Sequence, residues 1–472
     1  MKFKYLIIFF LCCVDFSINR HMIFDFHTNI DLNKVNEENY MNSTMAQKIY
    51  TDFYIGTPSQ KIPMTIKTGQ YPTFLTSPSC EKVQVQFDQN KSISYHQINN
   101  IHSQQLFLLD FLSGYYSNDS LLINSSYTFD NFTFMLATEL PVSIKNISGE
   151  IGLSIRPDIS GTEAKDNKYL YSGKTGFIKN LKDNGLIDQP MFGIIYDDEY
   201  NGKLIIGDFL HNIDDLYKES DYFSGRADFM IYIEKKEKYW MLETELFNGN
   251  YSENTYIYLE YEIGLIYGSS QFDQNITQKY FEEKKCERKI ISSNPYSFFQ
   301  YSCDTKEQFA DFPDLKFEVN GYTEKITFNF TKDELFKQIG KKYIFLIVFE
   351  VTEENKNYWR FGQIFFRKYN LFLHWVEKDN RFVFYPKKER KEKGKGIDGG
   401  DEEGEGGVST QIIIIIILAI VVAILASVII VYWKFFYKKE KKRPANEMKD
   451  DYEYNGSEEN DKSKSLVVNN NA

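Results

Sequence analysis

The chain has 472 residues, enough for two or more packed lobes, each able to bury its own core. Aromatic residues make up 17% of it, with 40 Phe and 34 Tyr, which favours strands and large sheet cores over helix bundles. The formal net charge is −11 and no long basic tract lies ahead of residue 433, so the protein has no electrostatic footprint for a nucleic-acid partner.

The first element in chain order is a charged start, Lys2 and Lys4, followed by the apolar run Tyr5 to Val14. That pattern predicts a secretory signal peptide over residues 1–20, too short to cross a bilayer. From Thr51 to Pro386 the sequence alternates short β-branched and aromatic runs with Gly, Pro, Asn and Asp. Tyr127 to Met135 and Lys203 to Ile206 are examples, and both read as strands. The clearest helical signal follows Phe272, where Ile276, Lys279, Tyr280 and Phe281 fall at three-to-four spacing.

Residues 387–411 are charged and glycine-rich with almost nothing apolar to bury, the composition of a flexible stalk. Gly394, Gly396 and Gly399 have a GxGxxG spacing there. Their charged flanks supply neither the strand nor the helix that a dinucleotide site needs. Residues 412–433 carry no charge over 22 positions, about 33 Å of helix, which predicts a membrane span. Lys434, Lys438, Lys439, Lys441, Lys442 and Arg443 follow at once. The positive-inside rule then puts the polar tail, residues 434–472, in the cytoplasm, and the ectodomain in the lumen or outside the cell, as a single-pass type I protein.

Seven short motifs then occur in order over about 330 residues. The first is Tyr54-Ile55-Gly56-Thr57-Pro58-Ser59-Gln60 with Ile66-Lys67-Thr68-Gly69, and the second is Gly149-Glu150-Ile151-Gly152-Leu153. Phe192-Gly193-Ile194 with Gly202 to Gly207 follows, then Tyr239-Trp240, then Gly264-Leu265-Ile266-Tyr267-Gly268. Phe312-Pro313-Asp314-Leu315 with Val319-Asn320-Gly321, and Phe361-Gly362 with Phe365, Arg367 and Tyr369, complete the set. Together they resemble the pepsin-like aspartic peptidases, from the strand leading into the first catalytic loop to the strand near the family's end.

The resemblance implies a mainly β, bilobal fold with a cleft between lobes, here 45–210 and 211–386, and two ψ-shaped loops that need glycine at Gly69, Gly152 and Gly362, where backbone approaches backbone. It also implies two catalytic aspartates, and both positions depart. Lys67 stands at the first and Glu260 at the second, where Thr-Gly has become Tyr261-Glu262. Two carboxylates sharing a proton are what that chemistry requires, so a lysine removes the general base. Lys67 is expected to pair with Glu260 instead, and Glu262 to disturb the second loop. The register on Gly114 and Asp119 places Phe107 at the family's flap tyrosine, although the pattern around Phe107 itself reads as an ordinary buried strand.

The resemblance further implies a second-lobe disulfide, Cys286 to Cys303, worth about 3 kcal/mol on loop-closure grounds in an oxidising compartment. Cys80 lacks its family partner and is expected to be buried, with pairing between chains as the alternative. Candidate N-glycosylation sequons fall at Asn42, Asn90, Asn118, Asn124, Asn131, Asn146, Asn250, Asn275 and Asn329. His21, His27, His96, His102, His211 and His374 show no metal-ligand spacing, no GxSxG elbow is present, and no cofactor or metal is expected. The expectation is an inactive pseudo-peptidase that holds an extended peptide or protein partner in its cleft. An active aspartic endopeptidase and a structural or adhesive surface glycoprotein are the alternatives.

Overall fold

The computed structural model describes residues 20–388, apart from 69–72, 82, 99–102, 108–109, 125–126, 141–146, 155–175, 233–236, 294–295, 353–355 and 377–378. The expected signal peptide, stalk, membrane span and tail lie outside the described residues, as does Gly69.

Alternating burial organises the sequence into strands. Met22–Thr28 and Ile49–Ile55 each bury every second side chain, the period of a strand with one covered face. Two mixed sheets result, of 14 and 12 strands among the described residues. The fold is mainly β, as expected. In the first sheet Met22–Thr28 lies between Asn201–Ile206 and Ile49–Ile55. Ile49–Ile55 pairs with Gln60–Lys67, which runs parallel to Gly149–Gly152. In the second, Tyr251–Leu259 runs parallel to Tyr358–Phe361, which pairs antiparallel with Ile266–Gly268.

The sheet does not respect a boundary at residue 210. The late strands Tyr369–His374 and Arg381–Pro386 join the first sheet through Met191–Tyr196, and Met22–Thr28 enters it ahead of the expected lobe start. The reason is burial: Leu371, Phe372, Leu373 and Phe382 are fully covered there, and a sheet edge left open at Met191–Tyr196 would expose a row of unpaired backbone groups.

The expected strands extend over Tyr127–Glu139 and Asn201–Ile206. The helical segment runs from Ser270 to Glu283, with a π turn over Asp273–Thr277, and buries Phe272 and Phe281. One local expectation is corrected. Gln363–Lys368 is a helix between two strands, not part of a final strand. It places the adjacent rings Phe365 and Phe366, both fully buried, against the core, which a strand would point to opposite faces. A further helix, Glu37–Met45, is capped by the Asn36 side chain, which accepts from the Asn39 N–H at 3.0 Å. Its Tyr40 and Met41 pack in one apolar cluster with Leu265, Phe298 and Val348.

Cys286 and Cys303 form the disulfide implied by the resemblance. Cys80 is buried as expected, its Sγ 3.2 Å from the Ala137 carbonyl oxygen, and burial pushes its thiol up.

Candidate functional site

Two loops of the same design meet where the lobes join. In the first, parallel register aligns Thr65 with Glu150, Ile66 with Ile151 and Lys67 with Gly152, and Leu153 N–H donates to the Lys67 carbonyl at 2.8 Å. In the second, Tyr258 aligns with Arg360 and Leu259 with Phe361, and Glu260 N–H donates to the Phe361 carbonyl at 2.9 Å. Gly362 threads the second loop so closely that a Cβ there would lie 2.2 Å from the Ile263 carbonyl oxygen and 2.3 Å from that of Leu265. No other residue type fits. Gly152 lies in register with Lys67 in the first loop.

The second loop carries its substitutions in ordinary backbone. Among the described non-glycine residues the positive φ belongs to Lys285, not to Glu262, so Glu262 sits in backbone that any residue adopts. Tyr261 is fully buried. Its ring stacks on Phe366 at 3.5 Å and its hydroxyl donates to the Leu371 carbonyl at 3.0 Å. The tyrosine therefore ties the loop to the joining strand Tyr369–His374.

The charge arrangement differs from the expected Lys67–Glu260 pair. Both oxygens of Glu260 are taken by Arg360, with Nε to Oε1 at 2.5 Å and Nη2 to Oε2 at 2.5 Å. Glu260 is 4% exposed, and the Arg360 guanidinium also lies over the Tyr267 ring at 4.8 Å. The fork geometry of guanidinium on carboxylate suits this pairing: it offers two parallel charge-assisted bonds.

In the first lobe the polarity is reversed. Glu150, fully buried, sits at the position equivalent to Arg360, two residues before the loop glycine. Burial pushes its carboxyl up to about 8, the Lys67 and Lys48 ammoniums pull it down, and Glu262 adds to the rise. Thr65 Oγ1 is 3.4 Å from its Oε2, while Oε1 has no hydrogen-bond partner among the described residues. Burial thus favours the protonated form of Glu150. Each loop thus carries one charged residue at the reacting position and one of opposite type two residues before its glycine.

The lobes touch through Glu262. Its Oε1 accepts from the Thr68 backbone N–H at 2.5 Å, and the Thr68 hydroxyl lies 3.2 Å from Oε2. A residue that the sequence marks only as a lost glycine is thus a hydrogen-bonded contact across the junction.

Phe107 ends the strand Ser103–Phe107 and pairs with Asp110 of Asp110–Asn124, so it stands beside the reversal of a hairpin. Of the sequons, Asn42, Asn90, Asn131, Asn250 and Asn275 are exposed and Asn118 is half-buried. Asn329 is half-buried in Lys325–Phe330 with its amide oxygen covered, a poor place for a glycan in this fold. Asn146 lies outside the described residues, as does the side chain of Asn124.

Sequence reasoning found Lys67 and Glu260 but missed the roles of Arg360, Glu150 and Lys48. The available signal was a charged residue in each turn that should be hydrophobic-hydrophobic-Gly: Glu150-Ile151-Gly152 and Arg360-Phe361-Gly362.

Comparison with known proteins agrees with this architecture. The family model described as "Eukaryotic aspartyl protease" matches residues 48–383. A protein described as "Acid protease" from Saccharomycopsis fibuligera is 24% identical over 298 residues, 59% of this chain and 67% of that protein. With the two threaded loops at the junction of its sheets, the chain belongs to the eukaryotic aspartyl protease family.

Proposed function

We propose that this protein is a membrane-tethered, catalytically inactive member of its family that binds an extended peptide or protein segment in its cleft. The observation that carries the reading is the capture of both Glu260 oxygens by Arg360, with Lys67 at the opposing position. A dyad works by sharing one proton between two carboxylates and activating a water. Here one carboxylate is replaced by an ammonium and the other is committed to a guanidinium. The remaining carboxyl of the first loop, Glu150, is fully buried and out of reach of a substrate. Binding is retained in this reading because a peptide held by main-chain hydrogen bonds and side-chain pockets needs the sheets and not the dyad.

Detergent-solubilised full-length protein, assayed on a mixed peptide library from acid to neutral pH, is expected to show no cleavage that a pepstatin-type inhibitor suppresses. Inhibitor-sensitive turnover would overturn the inactive reading in favour of a working endopeptidase. The tether is proposed from residues 412–433 and the basic residues behind them. Protease added to intact cells should release the ectodomain by cutting within 387–411 and leave a protected fragment that carries the tail. Digestion of the tail with a protected ectodomain would reverse the orientation.

A further inference from the structure

We infer that the protein holds an interior site for a small monatomic anion, chloride, built from Arg367, Gln363 and Tyr196 where the helix Gln363–Lys368 meets the first sheet. The inference does not rest on the cleft-binding reading above.

The helix Gln363–Lys368 packs on the strand Met191–Tyr196, and its residues Gln363 and Arg367, four apart, share a face. The Arg367 Cζ lies 5.5 Å from the centre of the Tyr196 ring. Its Nη2 donates to Gln363 Oε1 at 3.2 Å and to Gln47 Oε1 at 3.0 Å. The side-chain partners of this guanidinium are thus two neutral amide oxygens and no carboxylate. Three covered donors border it without a hydrogen-bond partner among the described residues: its own Nε, the Gln363 Nε2 and the Tyr196 hydroxyl. Gln363 is 0% exposed and Tyr196 1%. Turning the Gln363 amide over would not relieve this, because it would set the NH2 group against the guanidinium.

The chemistry of the three groups selects the occupant. Arg367 Nε and the Gln363 NH2 can only donate, and a phenol keeps its proton at neutral pH, so the ligand has to accept. Buried donors left unpaired are costly, and Arg367 stays charged, which favours an anion over a water molecule. The surrounding charges are otherwise engaged. Asp198 and Glu199 act on Arg367 from a distance, but Asp198 accepts from the Tyr200 and Asn201 N–H groups and Glu199 pairs with Lys337 at 3.1 Å. Glu262 acts on Tyr196 and is bound to the Thr68 N–H and hydroxyl. Lys387 adds positive charge, its Nζ 3.2 Å from the Arg367 carbonyl oxygen and 3.1 Å from that of Tyr196. With Gln363 and Tyr196 fully covered, a peptide carboxylate is too large to reach the donors, whereas a monatomic anion needs only a local opening.

The test follows the melting transition of full-length protein in detergent while sodium chloride replaces sodium gluconate at constant ionic strength. Wild type is expected to gain about 2–4 °C in a saturable way, as a ligand bound by the folded state alone requires. Gln363→Glu places a carboxylate of the chain's own beside the guanidinium. In gluconate it should melt close to wild type in chloride, and chloride should add nothing. Tyr196→Phe keeps the ring and removes one donor, so about tenfold more chloride should be needed for half the shift. It carries the test alone if Gln363→Glu does not fold. Identical melting of wild type in chloride and gluconate overturns the anion site and leaves water as the partner of these donors. A full chloride response in Gln363→Glu places the anion elsewhere and overturns the assignment. An unchanged midpoint in Tyr196→Phe overturns it equally, because the three donors were assigned as one site.

Discussion

Replacing Arg360 by methionine is expected to destabilise the fold by about 3–5 kcal/mol, because it strands the Glu260 carboxylate in the interior without its partner. Glu260 is 4% exposed, its backbone is fixed to Phe361, and the pair is bidentate at 2.5 Å on both arms. The cost is therefore that of an uncompensated buried charge, not of a surface ion pair, which is worth about 1 kcal/mol or less. The double variant Glu260→Leu with Arg360→Met should recover most of the loss, since replacing both members of a buried pair by apolar groups is often near neutral. Denaturant unfolding of the two single variants and the double variant measures this directly. A single Arg360→Met variant within about 1 kcal/mol of wild type would show that Glu260 has other compensation.

The second large effect is a pH dependence centred on Glu150. Its carboxyl is raised from the ordinary glutamate range to about 8, so between those values the folded protein holds a proton that the unfolded one has released. A group raised in this way contributes stability that is fully present below the unfolded value and is lost as pH climbs through the folded one. Stability should therefore fall from about pH 4.5 to about pH 8 and then level off, by on the order of 4–5 kcal/mol from this residue. The groups facing it are Lys67 and Lys48, which moderate the rise, Glu262, which strengthens it, and the Thr65 hydroxyl. Glu150→Gln keeps the shape and removes the ionisation. Its unfolding free energy should be close to that of wild type in acid, should exceed it at alkaline pH, and should lose most of the slope. Equal slopes for the two proteins would place the origin of the pH dependence elsewhere.

These effects bear on attempts to restore catalysis. Lys67→Asp with Glu260→Asp supplies two carboxylates, but Arg360 still claims the second and Glu262 still occupies the Thr68 N–H at the junction. On the inactive reading proposed above, the neighbouring charges, rather than the close threading of the loop by Gly362, oppose activity.

The family and the disulfide partners were legible because each depends on a short motif or a fixed order along the sequence. Gly-Thr-Pro before Lys67, the apolar pair before Gly268 and the Phe-Pro-Asp after Cys303 are local signals that survive at low identity. Runs of β-branched and aromatic residues likewise marked the strands Tyr127–Glu139 and Asn201–Ile206, since composition is a property of neighbouring residues. The partners of the charges were not legible. Arg360 reaches Glu260 across 100 positions and Thr68 reaches Glu262 across 194, and no local rule ranks Arg360 above Lys67 as the partner of Glu260.

The sequence by itself gave the expectation that Lys67 and Glu260 stand at the family's two aspartate positions. Only the tertiary structure decided that Glu260 pairs with Arg360 within its own lobe and that Glu150 is buried beside Lys67 and Lys48. That difference has a physical reason: residue identity is local, whereas desolvation and ion pairing depend on which distant strands the sheet register brings within a few ångströms of each other.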